Sequence, residues 1–226
     1  MKTRTLAQMR ASCRQRADME NTQFVTDAEI NAWLNEALCE LWDKMIRADP
    51  DIGYTTGNIT TVVGTPSYTV PADFYKHRGV DRVSGNARFP LEQFTQADRI
   101  GPLPSSREVL PRFTIRGNGT NTRIWFDPDP GAYTYTLHYV TACPVLTVDA
   151  DTFDGIDGWE KWPILTVAIT MLNKEKSDSR PLMQELAKIE AVITTAVNAS
   201  RNSEREIDIA IVRPSYRRGN RRILDW

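Results

Sequence analysis

Few side chains in this sequence are placed for acid–base, nucleophilic or metal chemistry. The histidines number two, His77 and His138. His138 sits in an alternating, strand-like run and His77 in another, Phe74-Tyr-Lys-His-Arg78, so both read as satisfied half-buried rings. Neither has a cysteine or acidic cluster at zinc-ligand spacing beside it. The acidic stretch 148–158 places Asp149, Asp151 and Glu160 at positions 1, 3 and 12 of a calcium loop. Phe153 fills position 5, however, and Asp154 stands where the sharp turn demands glycine. The simpler reading makes Asp154-Gly155 a turn and Asp157 the cap of a helix that starts near Trp159. Asp127 and Asp129 flank Pro128 and could line a cleft as a carboxylate pair. Asp-Pro-Asp-Pro at a strand end reads first as a rigid turn. The sequence has no Walker-type phosphate loop, no dinucleotide-binding glycine fingerprint and no GxSxG elbow. The expectation is a non-enzymatic protein without a cofactor or metal.

The C-terminus is the exception. Arg213, Arg217, Arg218, Arg221 and Arg222 share the end of the chain with Tyr216, Trp226 and one acid, Asp225. A polar chain end of this kind can be no more than a solvated tail. Arginine with Tyr and Trp is also the composition of protein-binding hot spots. Equally, it suits phosphate contacts, which keeps a nucleic-acid-binding module open as an alternative.

Composition narrows the class. Of 226 residues, 41% are hydrophobic and 25% charged, as in ordinary globular proteins, and the formal net charge is −1. No global field therefore recruits DNA or an anionic membrane. No apolar run approaches the roughly 18–20 residues that span a bilayer. The N-terminus has the basic start of a signal peptide without its apolar run, so use without export and without a membrane is expected. Cys13, Cys39 and Cys143 form no framework, and Cys13 and Cys39 fall on apolar helix stripes, which points to buried free thiols in a reducing compartment. In that setting the sequons at Asn58, Asn118 and Asn198 carry no meaning.

The elements that must position these groups run as helices, strands, helices and a tail. A first helix over residues 5–18 opens on the capping-box spacing Thr5 to Gln8, with Leu6, Met9, Cys13 and Ala17 as its stripe. A second opens on Thr26 and Glu29, flanked by the staple pair Val25 and Ile30, and ends near Ala48 before Pro50 and Gly53. Ile30, Trp33, Leu34, Ala37, Leu38, Leu41, Trp42 and Met45 repeat at helical spacing along it. Strands are expected over 54–63, 74–84, 87–94, 112–117, 122–126 and 134–140, with a hairpin loop at 117–121 and a surface loop at 100–111. Helices return from about residue 158, with Trp159, Trp162, Leu165, Ile169 and Leu172 on one face, break at 177–181, and resume with the stripe Leu182, Leu186, Ile189, Ile193 and Ala196, so that each of the four helices has one apolar face.

These elements predict an α+β fold, a four-helix bundle built from both chain ends with an inserted antiparallel β domain. The domains expected are a helical pair at 1–50, the β domain at 51–147, a second helical pair at 148–200, and an extended basic tail at 201–226.

Several segments, in order, resemble the head-to-tail adaptor (connector) proteins of tailed bacteriophages. They are Phe24-Val-Thr-Asp-Ala-Glu-Ile30 with Leu34-Asn-Glu-Ala-Leu38, then Tyr68-Thr-Val-Pro-Ala-Asp-Phe-Tyr-Lys76 with Gly79-Val80. Arg116-Gly-Asn118, Trp125-Phe-Asp-Pro-Asp-Pro130, Tyr135-Thr-Leu-His-Tyr139 and Gly155-Ile-Asp-Gly-Trp159 follow. The resemblance spans roughly residues 5–200, and none of its motifs is catalytic. It implies a virion protein of the neck, at the head–tail interface, assembled in the host cytoplasm. Its partners would be the portal protein, the next neck or tail component, and its own copies in a homo-oligomeric ring of about twelve. Double-stranded DNA would pass through the ring's channel without sequence readout. Because the family's C-terminal extensions tend to reach into the portal, Arg213, Tyr216, Arg217, Arg218, Arg221, Arg222 and Trp226 become candidate portal-binding residues. A tail-tube or stopper protein of the neck is the nearest alternative, and a hydrolase with an unrecognised carboxylate site a more distant one.

Overall fold

The computed structural model describes residues 2–19, 24–95, 110–156 and 158–210, with backbone alone for 201–210. The chain divides into two compact units, residues 1–49 with 147–226, and residues 50–146.

Among the described residues the first unit holds four helices and a small sheet. Strand β1 (Lys2–Thr5) leads into α1 (Leu6–Ala17), and Thr5 caps that helix with a complete Thr5–Gln8 capping box. Helix α2 (Asp27–Ala48) has the same device, Thr26 with Glu29, and both staple residues, Val25 and Ile30, are buried. The apolar stripe of α2 is buried at Ile30, Leu34, Ala37, Leu38, Leu41, Trp42 and Met45. Cys39, expected on that stripe, lies one position off it and is exposed, whereas Cys13 is buried. Burial pushes the Cys13 thiol up to about 12, which keeps it protonated and unreactive.

The second helical pair, α3 (Lys161–Glu175) and α4 (Arg180–Ala210), departs from expectation. The helices do not form a four-helix bundle from both chain ends. Such a bundle needs four helices of one apolar face each. Helix α3 instead buries Trp162, Pro163, Ile164, Leu165, Val167, Ala168, Ile169 and Met171, which lie around its whole circumference. That is the pattern of a helix enclosed by its neighbours. Along 181–200 of α4 only Ile193 is buried, while Leu182, Leu186, Ile189 and Ala196 are half-buried. A further strand, β9 (Thr152–Gly155), pairs antiparallel with β1, Lys2 opposite Gly155 and Thr5 opposite Thr152. Asp154-Gly155 is therefore strand rather than turn. Helix α3 starts at Lys161 after a turn at 158–160, and Glu160 at its N-cap makes no side-chain cap bond. Asp157, the expected cap, lies outside the described residues. Helix α4 continues to Ala210, where an extended tail was expected from residue 201.

The second unit is a sizable β domain, with two antiparallel sheets among the described residues. Strands β2 (Tyr54–Thr60), β4 (Phe74–Ser84), β5 (Ala87–Pro90) and β8 (Thr134–Thr141) form one, in the order β2-β8-β4-β5. Strands β3 (Ser67–Thr69), β6 (Arg112–Arg116) and β7 (Arg123–Asp127) form the other, in the order β3-β7-β6. Alternate residues of both sheets meet in one core, including Val80, Tyr135, Leu137 and Tyr139 from the first and Phe113, Ile124 and Phe126 from the second. Phe126 and Tyr135 close the gap between the sheets, their ring centroids 4.8 Å apart. The Tyr135 hydroxyl donates to Pro130 O at 2.8 Å, which satisfies the one polar atom of a fully buried ring. The expected surface loop 100–111 lies, apart from Leu110 and Pro111, outside the described residues.

Candidate functional site

The acidic stretch resolves into a turn that consumes its own carboxylates. Asp151 accepts from Thr147 N at 2.6 Å, Val148 N at 2.8 Å and the Thr147 hydroxyl at 3.1 Å. The backbone bond from Val148, then that from Thr147, holds its carboxyl below the ordinary aspartate value. Asp149 meets Arg10 at 2.9 Å, and Asp154 accepts from the Thr3 hydroxyl at 2.6 Å. Glu160 is buried and accepts from Gly158 N at 2.7 Å. With its oxygens aimed at backbone N–H groups and neighbouring side chains, the stretch braces β9 and the start of α1, where Leu6 N and Ala7 N bond Asp151 O and Asp149 O. Among the described residues no group of three His, Cys, Asp or Glu side chains could hold a metal ion. Likewise, no described helix is long and apolar enough to cross a membrane.

Asp127 and Asp129 do not face one another across a cleft. Asp127 pairs with Arg112 at 3.7 Å, its register partner across β6 and β7. Asp129 accepts from Gly131 N at 2.8 Å and from Gly64 N, which makes it the brace of the 127–131 turn.

Both histidines are satisfied. His77 Nε2 lies 3.0 Å from Gln93 Oε1, with its ring edge-on to Phe113. His138 stands between Asp81 Oδ2, 3.0 Å from its Nε2, and the Tyr54 hydroxyl, 2.6 Å from its Nδ1. A carboxylate only accepts, so the neutral ring donates from Nε2 and accepts from Tyr54 through Nδ1. The Tyr54–His138–Asp81 line crosses β2, β8 and β4 on the polar face of the four-stranded sheet. No serine or cysteine takes part in it, so it is a cross-strand brace rather than a relay to a nucleophile.

Arg213, Tyr216, Arg217, Arg218, Arg221, Arg222 and Trp226 lie outside the described residues.

A charged surface that sequence reasoning missed is the outer face of the three-stranded sheet. Phe113, Ile124 and Phe126 point into the core, so the alternate positions Arg112, Arg116, Arg123 and Trp125 point away from it. Arg116 stands directly opposite Arg123, and its guanidinium lies 5.8 Å from the Trp125 ring centroid. The signal was present in Arg112-Phe-Thr-Ile-Arg116 and Arg123-Ile-Trp-Phe-Asp127, whose alternation puts basic residues on one face. It needed the pairing register to bring the two arginines together. A separate shallow groove of about 280 Å³ runs between the start of α3 and the middle of α4, lined by Trp159, Lys161, Glu185, Lys188, Ile189 and Val192.

The described polar constellations thus brace turns and sheets. No curated protein matches the chain. The model of a family described as SU10 adaptor protein matches residues 4–172, which runs from β1 through both sheets into α3. Since that match covers about three quarters of its 226 residues, the chain belongs to the SU10 adaptor protein family, a family of phage head-to-tail adaptors, and is a structural component of the head–tail junction.

Proposed function

We propose that this protein forms a ring of about twelve copies beneath the portal, lengthens the DNA channel and presents the docking surface for the next neck or tail component. The family match over residues 4–172 carries this reading. Two features are consistent with an assembly role. Helices α1 and α2 carry complete capping boxes, and the two sheets share one buried core. The outer face of the β3-β7-β6 sheet and the exposed side of α4 offer contact surfaces.

In this reading the segment after α4 is the portal anchor. Arg213, Arg217, Arg218, Arg221 and Arg222 supply charge and Tyr216 and Trp226 supply apolar area, the mixture that dominates binding hot spots. The family match ends at residue 172, so this segment is a feature beyond the matched part. DNA passing the ring would meet it without base readout. The test is co-sedimentation of the full chain and of a chain lacking residues 215–226 with purified portal rings. Binding by the full chain and its loss in the truncated one are expected. Unchanged binding by the truncated chain overturns the anchor.

A further inference from the structure

We infer that the basic face of the β3-β7-β6 sheet in one copy docks on the acidic outer face of α2 in the next, a subunit contact that rests on the ring reading above. The basic side is centred on Arg116 and Arg123. Like charges placed directly opposite on neighbouring strands are destabilising, yet these two are register partners. Arg112 on the same face is paired with Asp127, whereas neither Arg116 nor Arg123 meets a carboxylate among the described residues. Trp125, half-buried, stands beside the pair, opposite Thr114, with its ring centroid 5.8 Å from the Arg116 guanidinium, and adds apolar area. An uncompensated guanidinium pair with a tryptophan beside it is a surface prepared for carboxylates or phosphates.

The chain itself carries the complement. Glu36 and Glu40, one turn apart on α2, are exposed and have no cation partner among the described residues. Five other acids of this unit are paired with cations: Asp27 with Arg14, Glu29 with Lys174, Asp149 with Arg10, Glu185 with Arg16 and Glu190 with Lys44. An uncompensated acidic pair and an uncompensated basic pair therefore coexist on different surfaces of one molecule. Their spacings also agree. Directly opposed strand residues have Cβ atoms about 4.5–5.5 Å apart, and helix neighbours at i and i+4 about 5–6 Å. Two guanidiniums can thus face two carboxylates one to one. Because the two patches differ, the contact is head-to-tail: each copy spends its basic patch on one neighbour and its acidic patch on the other, and the series closes into a ring where the rotation between copies closes. A two-fold dimer through either patch would set like charge on like charge.

Charge reversal tests this in the full chain, with ring formation on purified portal read by electron microscopy and self-association by sedimentation. R116E/R123E makes both patches acidic, and E36R/E40R makes both basic. Each variant alone is expected to lose assembly by at least about tenfold. An equimolar mixture of the two is expected to recover it to within about threefold, since acidic sheets then meet basic helices and the reverse. That recovery also shows that both variants fold. Assembly of either variant alone at the wild-type level overturns the contact, as does a mixture that stays unassembled. Intact rings with weakened DNA retention by R116E/R123E would overturn it in favour of a phosphate-facing surface. If the wild-type chain itself forms no ring on portal, the ring reading fails together with this contact. If it does while the reversed variants also assemble, the contact alone fails.

Discussion

Lys174, in the last turn of α3, holds its ammonium 2.7 Å from Glu29 Oε1 in the first turn of α2. The other oxygen of the same carboxylate accepts from Thr26 N at 3.0 Å and so completes the capping box. Lys174 also donates to Phe24 O at 3.2 Å. One glutamate thereby caps its own helix and ties that helix to α3.

This arrangement makes stability depend on pH. The hydrogen bond from Lys174, then that from Thr26 N, draws the Glu29 carboxyl down to about 2. A carboxyl lowered in the folded state stabilises above its unfolded value, about 4.3, and loses that contribution as pH falls toward 2. Glu29→Gln should therefore melt below wild type at pH 7, with the gap closing between about pH 4.3 and 2. A melting difference that stays constant over that range would contradict the assignment.

The unequal burial of α3 and α4 predicts unequal mutational costs. Leu165, 1% exposed in α3, should cost about 2–5 kcal/mol on truncation to alanine. Leu186, half-buried in α4, should cost about 1 kcal/mol or less. Urea unfolding of the two variants checks this, and equal costs would restore the bundle-like packing that the structure lacks.

Helix α2 was legible in the sequence because its signals are local. A capping box, a staple pair and an eight-residue stripe lie within one stretch, and the observed Asp27–Ala48 follows them. The 74–84 strand and the 115–126 hairpin were legible for the same reason. By contrast, β1 and β9 are four residues each and exist only because Lys2 finds Gly155 across the chain, so no window shows them. The bundle failed as an expectation because one apolar face was assigned to every helix. The run Ile164-Leu-Thr-Val-Ala-Ile169 instead has apolar residues on all sides, the pattern of an enclosed helix. The Arg116–Arg123 pair depends on register, which periodicity within either strand does not carry.

The hairpin between β6 and β7 turns on Gly117, whose φ of +105° is closed to other residues and whose added Cβ would strike the Asn121 carbonyl. Gly117→Ala should cost at least about 2 kcal/mol. Gly119 also has positive φ but open space around it, so Gly119→Asn should cost about 1 kcal/mol or less. Thermal or urea denaturation separates the two, and a tolerated Gly117→Ala would contradict the loop geometry.

Arg14 holds the approach to α2 in place. It donates to Asp27 at 2.6 Å, Val25 O at 2.9 Å and Met19 O at 3.4 Å while nearly buried. Arg14→Met should destabilise by about 3 kcal/mol, because it strands these acceptors. Raised hydrogen exchange is expected in the first turn of α2, while the sheets of the second unit stay unchanged. Uniform loss of protection in both units would contradict this local role.

The central claim, a structural ring of the head–tail junction, is tested most directly by cryo-electron microscopy of purified portal mixed with the full chain. One added ring of about twelve copies is expected, coaxial with the portal, with an open channel continuing through it. Portal particles without added density, or with isolated copies bound off the axis, would contradict it.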